Sequence, residues 1–137
     1  MALQRQSWAP SDVDVSKPSI ARIWDWFLGG GHNFAVDREV ARKTLELMPQ
    51  GPRMAQLNRV FLHRAVYFCV DSGITQFLDI GSGIPTVGNV HEVAQRTNPA
   101  AKVVYVDVDP VAAQRGLARG TGDVPARGRL GHVAHLP

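Results

Sequence analysis

The sequence predicts an α/β chain that holds the first half of a parallel, doubly wound sheet, preceded by an N-terminal helical segment. Three observations predict this class. Residues 18–73 keep the spacing of amphipathic helices, whereas residues 74–115 change to short apolar runs. Those runs form a β-α-β unit, the building block of a parallel sheet with ligands at the carboxyl ends of its strands. The length of 137 residues allows one compact domain or part of a larger one.

Three helices are predicted before the sheet. The first starts at Pro18 and keeps one apolar face until Gly29–Gly31 ends it. The second uses Asp37 as its cap and stops at Pro49. The third covers residues 53–70, and a polar, glycine-containing turn closes it. Each helix has one apolar face, so each must pack against another element.

The β-α-β unit follows these helices. Residues 74–80 are typical of a buried strand, and Gly81–Gly83 are typical of a tight turn. Thr86 or Asn89 is the expected cap of the crossover helix. Residues 102–106 are rich in β-branched side chains and predict the second strand.

The two ends of the chain lack this patterning. Residues 1–17 have no periodicity and are expected to be a flexible leader. Residues 116–137 are rich in Gly and Arg and are expected to be a disordered tail. Between them, residues 18–73 form the helical segment and residues 74–115 the partial sheet. A sheet of two strands exposes unpaired backbone groups, so we expect its open edge to favour self-association.

Charge and cysteine content exclude several classes of protein. The formal net charge is +3, but residues 1–114 are neutral and the whole surplus lies in residues 115–137. A nucleic-acid-binding domain carries its basic patch on the folded body, so this partner is disfavoured. Cys69 is the only cysteine, which excludes a disulfide framework and a Cys-rich zinc site, and we expect no bound metal. The longest apolar run, Ala65–Val70, is too short for a membrane span, and residues 1–19 lack a signal-peptide core, which predicts a cytoplasmic protein.

The turn after the first strand carries the chemical information. Its glycines let the backbone approach a ligand closely, and Asp107, at the end of the second strand, can accept both hydroxyls of a ribose. A nucleoside site is therefore predicted. A dinucleotide fingerprint needs a third glycine at the position of Thr86, which disfavours a pyrophosphate and an NAD-dependent oxidoreductase. Asp79 instead favours a cofactor with a cationic end, and S-adenosylmethionine has a sulfonium and an ammonium.

The turn and the second-strand acid resemble those of class I S-adenosylmethionine-dependent methyltransferases, which have a Rossmann-like fold. Over residues 18–114 the chain is similar to a bacterial family of such enzymes formerly classed as a domain of unknown function. The resemblance is carried by Pro18–Asp25, Leu28–Gly30, Asn33–Arg38, Asn58–Arg59, Phe77–Thr86, Asn89–Gln95 and Val104–Asp107. It implies that the chain holds the first half of the class I methyltransferase fold.

The resemblance also implies roles for eight residues. The glycine turn of Gly81, Ser82 and Gly83 would line the methionine moiety of S-adenosylmethionine, with Asp79 near its ammonium. Asp107 would hold the ribose and Asp109 would lie near the adenine edge. Asn33 and Arg38, which follow the first helix, would cover the cofactor.

Two departures from the family leave function partly open. Trp24 and Trp26 stand where members usually have tyrosines, and Gly31–His32 stand where members have a charged or polar pair. The family also continues through further strands, whereas this chain turns into a Gly- and Arg-rich tail, so it is expected to be truncated. No catalytic base can be assigned, since His91 suits a helix cap as well as a group facing the methyl acceptor, and the acceptor cannot be identified. The alternative is a non-catalytic, truncated product that acts through association with a partner.

Overall fold

The computed structural model describes residues 6–11, 13–85, 88–112, 114 and 132–136, the last five by their backbone. Within these residues four helices and three strands have defined bounds, and a further helical turn starts at Pro110. The elements with defined bounds are α1 (Ile20–Phe27), α2 (Ala35–Leu47), α3 (Gly51–Asp71), β1 (Gln76–Ile80), α4 (Val90–Thr97), β2 (Lys102–Asp107) and β3 (His132–Leu136). None of the described helices is long and apolar enough to cross a lipid bilayer.

The sheet has the order β1-β2-β3. β1 and β2 are parallel, in a register that runs from Gln76 opposite Lys102 to Ile80 opposite Val106. This pairing confirms the predicted crossover, with α4 as its helix. The carboxyl ends of β1 and β2 therefore lie side by side.

β3 corrects part of the expectation of a disordered tail. It pairs antiparallel with β2 through the backbone of residues 132–136, whereas residues 115–131 and 137 lie outside the described residues. The run His132–Leu136 has only five residues and no long apolar pattern, so it carries no local signal for a strand. Its strand partners come from the edge of β2, which offers backbone groups for pairing.

The predicted helices form, with one change at the start of α2. The helix begins at Ala35, and Phe34 is the residue before it, so Asp37 lies inside the first turn. Its Oδ2 accepts a hydrogen bond from the Phe34 amide at 2.8 Å. Asp37 therefore accepts a hydrogen bond at the amino end of α2 from within the first turn and not from the cap position. Its carboxylate is held there by the buried Arg22 side chain of α1.

A buried ion network fixes α1 against α2 and the end of β2. The Arg22 side chain donates from Nε to Asp37 at 2.9 Å and from Nη1 to Asp109 at 3.1 Å. All three side chains are at least nine-tenths buried. Ser19 also donates from its hydroxyl to Asp109. Buried charges are tolerated when they are paired and hydrogen-bonded in this way, so the network sets the position of α1 over the sheet.

The main apolar core lies where α3 and α4 cover one face of β2. Val66 and Val70 of α3 meet Val93 of α4 and Val103 of β2, and all four side chains are buried. A smaller cluster joins α1, α2 and α3 around Phe27. The helical segment is thus part of the same packed unit as the sheet.

Part of the predicted leader also packs. Val13 is buried with Phe34, Ile84 and Val111, and Trp8 stacks on Phe34 with ring centroids 5.1 Å apart. The expectation of a flexible leader therefore does not hold for residues 6–11 and 13–17, which cover the far side of the glycine turn. Two apolar side chains, Trp8 and Val13, hold this segment in place although it has no periodicity. They do so because they contact apolar side chains that are distant in sequence.

Candidate functional site

The turn after β1 has the backbone geometry that a ligand-binding turn requires. Gly81 and Gly83 have positive φ angles of 73° and 69°, a conformation that favours glycine. A Cβ atom built on either residue would meet no other atom within 4 Å. The backbone of the turn therefore faces open space, where a ligand can approach closely.

Two hydrogen bonds tie this turn to the end of β2. The Gly81 amide donates to the carbonyl of Val106 at 2.7 Å, which extends the parallel pairing by one residue. The Gly83 amide donates to Oδ2 of Asp107, also at 2.7 Å. The acid that ends β2 thus holds the glycine turn of β1 in place.

A cavity of about 660 Å³ opens at this edge of the sheet. Its floor is formed by the glycine turn and the ends of β1 and β2, and its walls by α1 and α3. The predicted site residues Asp79, Gly81, Ser82, Gly83, Asp107 and Asp109 all line it. Apolar side chains from the helices complete the lining, among them Trp24, Leu28, Phe61 and Leu62. The volume falls within the range of about 300–1,000 Å³ that is usual for small-molecule sites.

Asp79 and Arg59 place opposite charges in this cavity. Both side chains are partly buried and both residues line it. Burial raises the pKa of the Asp79 carboxyl above its ordinary value, Arg59 opposes this rise, and Asp107 adds to it. Burial likewise lowers the pKa of the Arg59 guanidinium, and Asp79 opposes that fall. For each group the cost of burial therefore exceeds the attraction of the other.

Asp107 and Asp109 have structural partners as well as a place in the lining. Oδ1 of Asp107 accepts a hydrogen bond from the Asp109 amide at 2.8 Å, in addition to the bond from Gly83. Oδ1 of Asp109 accepts from the Val111 amide at 2.8 Å, and its Oδ2 belongs to the network of Arg22. Each carboxylate oxygen can accept two hydrogen bonds. Asp107 can therefore still accept a hydrogen bond from a ligand hydroxyl, whereas most of the acceptor positions of Asp109 are taken by protein donors.

Asn33 and Arg38 are not among the described residues that line the cavity. Asn33 donates from its side-chain amide to Oδ2 of Asp25 and to the Gly30 carbonyl, both at 2.9 Å. Arg38 in turn donates to the carbonyl and Oδ1 of Asn33 at 2.9 and 3.0 Å. These contacts tie both residues to Asp25 and to the loop after α1. Their expected role in covering the cofactor stays a prediction.

Asp25 is a site residue that the sequence analysis did not single out. It lines the cavity from α1 and is only 2% exposed. Its Oδ2 accepts from the His32 amide at 2.9 Å and from Asn33, whereas its Oδ1 is buried without a hydrogen-bond partner in the described structure. A carboxylate in the middle of an apolar helix face, inside the motif Pro18–Asp25, was the signal that could have found it.

His91 lies at the start of α4 and is engaged with the sheet. Tyr105 accepts a hydrogen bond from the His91 amide at 2.9 Å, and its hydroxyl lies 2.8 Å from Nδ1 of the His91 ring. Burial raises the pKa of Tyr105 above its ordinary value, although the hydrogen bond from His91 opposes the rise. These contacts give His91 a structural role at the helix start, and neither residue lines the cavity.

The chain matches the model of the S-adenosyl methyltransferase family over residues 6–125. Two crystal structures resemble it. A protein from Thermobifida fusca YX, proposed to be a methyltransferase, is 49% identical, with a TM-score of 0.78 over 82% of this chain and 43% of that one. A DUF574 family protein from Streptomyces avermitilis MA-4680 is 40% identical, with a TM-score of 0.71 over 77% of this chain and 42% of that one.

The chain spans less than half the length of these two proteins. None of the curated proteins matches it. The family model covers most of the chain, including both strands and the glycine turn of the cavity. The chain therefore belongs to the S-adenosyl methyltransferase family, whose name implies S-adenosylmethionine as the cofactor.

Proposed function

We propose that the chain binds S-adenosylmethionine in the cavity at the carboxyl ends of β1 and β2, and that a complete protein of this kind transfers the methyl group to an acceptor. The observation that carries the proposal is the glycine turn. Its backbone faces open space at Gly81 and Gly83, and Asp107 holds it in place. An ordinary strand-to-helix turn needs neither a cavity nor two acids beside it.

The residues present fit this cofactor. Asp25, Asp79, Asp107 and Asp109 give the lining an excess of negative charge, which suits a ligand with two cationic groups. The apolar walls of α1 and α3 suit the adenine and the carbon atoms bonded to the sulfonium. A pyrophosphate would meet the same four acids unfavourably, which argues against a dinucleotide.

Within this proposal each lining residue has a binding role. Gly81, Ser82 and Gly83 let the backbone come close to the methionine moiety, and Asp79 faces the ammonium. Asp107 accepts hydrogen bonds from the ribose through the lone pairs that its backbone partners leave available. Asp109 borders the adenine end, where it acts chiefly by fixing the end of β2.

When bound, S-adenosylmethionine would supply a methyl group on a sulfonium, which an acceptor nucleophile attacks in line while S-adenosylhomocysteine leaves with the electron pair of the broken carbon–sulfur bond. The described residues offer positioning and electrostatics for such a transfer, in a cavity walled by α1 and α3. Asn33 and Arg38 contribute as positioning residues, because they hold Asp25 and the loop after α1 in place.

Calorimetry with S-adenosylmethionine, S-adenosylhomocysteine and NAD tests the cofactor. We expect both adenosyl compounds to bind more tightly than NAD, and Asp107→Ala to weaken them by about 1–3 kcal/mol. Glu39→Gln, which changes an exposed acid on α2, is the matched control and should leave affinity unchanged. Tighter binding of NAD, or equal losses in both variants, would contradict the proposal.

A second candidate role, association with another copy of the chain, is favoured by a different observation. β1 is at the edge of the described sheet, and two of its side chains, Leu78 and Ile80, are 62% and 74% exposed. Phe61 and Phe68 of α3 are also exposed. An open strand edge beside an apolar surface favours pairing with a second chain.

A further inference from the structure

The described part of the leader, residues 6–11 and 13–17, packs in one apolar cluster with the end of the glycine turn. Ile84 directly follows Gly83, and it both lines the cavity and belongs to the cluster that contains Val13. Val13 and Ile84 are each only 3% exposed. The residue after the turn thus joins the cavity lining to the leader.

The glycine turn depends on its neighbours for a fixed shape. Gly81 and Gly83 adopt positive φ angles, and glycine leaves a chain freer to change conformation than any other residue. The hydrogen bond from the Gly83 amide to Asp107 fixes the turn from the side of β2. The burial of Ile84 in one cluster with Val13 adds a second constraint, from a segment that is distant in the sequence.

The leader has little regular structure of its own. Its described residues form turns and include no helix or strand. Their backbone hydrogen bonds are few, and that from the Val13 amide to the Pro10 carbonyl is 3.3 Å long. Side chains attach the leader to the fold: Val13 lies in the buried cluster, and the Trp8 ring stacks on Phe34. A segment that is attached in this way opens locally while the rest of the fold stays intact.

We infer that Val13 is a positioning residue for the proposed site, and that it acts through Ile84 to hold the glycine turn in the conformation that binds the ligand. This inference rests on the proposed function and adds the leader to the site. Docking of the leader favours the binding conformation of the turn, so ligand binding must favour docking of the leader to the same extent. The leader and the cavity are therefore coupled in both directions.

Hydrogen exchange of the wild-type chain tests the effect of the ligand on the leader. S-adenosylhomocysteine is the probe, because it has no methyl group to transfer. It should slow the exchange of the amides of Ala9, Val13 and Lys17, which donate hydrogen bonds within the leader, by at least about fivefold. The Met48 amide, at the end of α2 and outside the described cavity lining, is the internal control and should exchange at an unchanged rate.

Calorimetry of four variants tests the effect of the leader on the ligand. Val13→Ala should weaken the binding of S-adenosylhomocysteine by at least about fivefold, whereas Val13→Ile keeps a branched apolar side chain and should bind closer to wild type. Lys17→Gln changes an exposed side chain of the leader and should stay within about twofold of wild type. Val70→Ala truncates a buried valine of the main core outside the cavity lining, so it should lower the melting temperature without changing the affinity of the folded chain.

The outcomes separate this inference from the proposed function. Unchanged exchange in the leader when S-adenosylhomocysteine is bound would overturn the inference and leave the proposed function standing. Equal losses of affinity in Val13→Ala and Val70→Ala would also overturn it, because they would trace the effect to overall stability. If the wild-type chain does not bind S-adenosylhomocysteine, the proposed function fails and the role of Val13 fails with it. The exchange measurement needs no variant, so a folding defect in Val13→Ala cannot hide the result.

Discussion

The Gly83 amide donates a 2.7 Å hydrogen bond to the Asp107 carboxylate, and this bond joins the glycine turn of β1 to the end of β2. The same carboxylate accepts from the Asp109 amide through its other oxygen. The residue proposed to hold the ribose is thus also the residue that shapes the turn beneath the methionine moiety. Binding of the nucleoside and the geometry of the turn are therefore coupled through one side chain.

This coupling predicts that Asp107→Asn impairs stability as well as binding. An asparagine keeps one acceptor oxygen, so either the Gly83 or the Asp109 amide loses its partner. We expect the free energy of unfolding to fall by about 1–3 kcal/mol, the cost of an unsatisfied buried amide. Urea denaturation measures it. The prediction fails if Asp107→Asn weakens nucleoside binding while leaving the denaturation midpoint unchanged.

The buried network of Arg22 gives a second prediction. Arg22→Met should lower the free energy of unfolding by about 3–5 kcal/mol, because it leaves Asp37 and Asp109 as unpaired buried carboxylates. Chemical denaturation at pH 7 tests this. Lys43→Met removes one partner of the exposed pair with Glu39 and should have little effect. A loss for Arg22→Met as small as that for Lys43→Met would show that the buried ion network contributes little to stability.

Asp79→Asn is expected to stabilise the fold at neutral pH while it weakens the proposed binding. Burial raises the folded-state pKa of Asp79 above the ordinary value of 3.8, despite the opposing effect of Arg59. The protonated form therefore stabilises the fold below about pH 4, and this contribution is lost as the pH rises through the folded-state pKa. Urea denaturation of Asp79→Asn should show a higher free energy of unfolding than wild type at pH 7.

The pH dependence of the free energy of unfolding distinguishes the cost of burying the Asp79 charge from a change in packing. The difference between Asp79→Asn and wild type should shrink as the pH is lowered, because the wild-type carboxyl becomes protonated and neutral. Glu46→Gln, which neutralises an exposed acid on α2, is the control. A difference for Asp79→Asn that persists unchanged at low pH would argue against desolvation as its cause.

Local signals in the sequence predicted the parts of the site that depend on neighbouring residues. The glycine turn, Asp79 and Asp107 belong to short patterns at strand ends, and the parallel pairing of β1 with β2 brings them to one edge. The bounds of α1, α3 and α4 also follow from apolar periodicity and turn residues.

What could not be predicted depends on contacts between residues distant in sequence. Asp25 is defined by a loop that folds back on it through His32 and Asn33. The packing of Val13 and the pairing of β3 need partners roughly twenty or more residues away. Periodicity describes the faces of an element and carries no information about which distant group meets them.

The loop after α1 packs closely against Asp25 at Gly30, which has no side chain. A Cβ atom at Gly30 would clash with Oδ1 of Asp25, so Gly30→Ala must displace the loop or the carboxylate. We expect Gly30→Ala to destabilise the protein, by about 1–3 kcal/mol as for other overpacked sites. Thermal melting of the single and double variants with Asp25→Ala measures the coupling.

Asp25→Ala alone should also destabilise, since it leaves the His32 amide and the Asn33 side chain without their acceptor. In the double variant the clash is absent, so the combined loss should be smaller than the sum of the two single losses. Additive losses would show that the Gly30 contact has no energetic consequence.

The open face beside β1 predicts self-association. Ile80 of β1 is 74% exposed, and Phe61 and Phe68 of α3 are 69% and 72% exposed. Sedimentation velocity across a concentration series should therefore detect dimers or larger species of the wild-type chain, because burying these side chains against a second copy removes apolar surface from water. Ile80→Lys should shift the distribution toward the monomer, since it places a charge beside the open strand edge. Leu47→Lys, at an exposed apolar position at the end of α2, is the matched control and should leave the distribution unchanged. A wild-type chain that stays monomeric at every concentration would show that this face is stable in water without a partner.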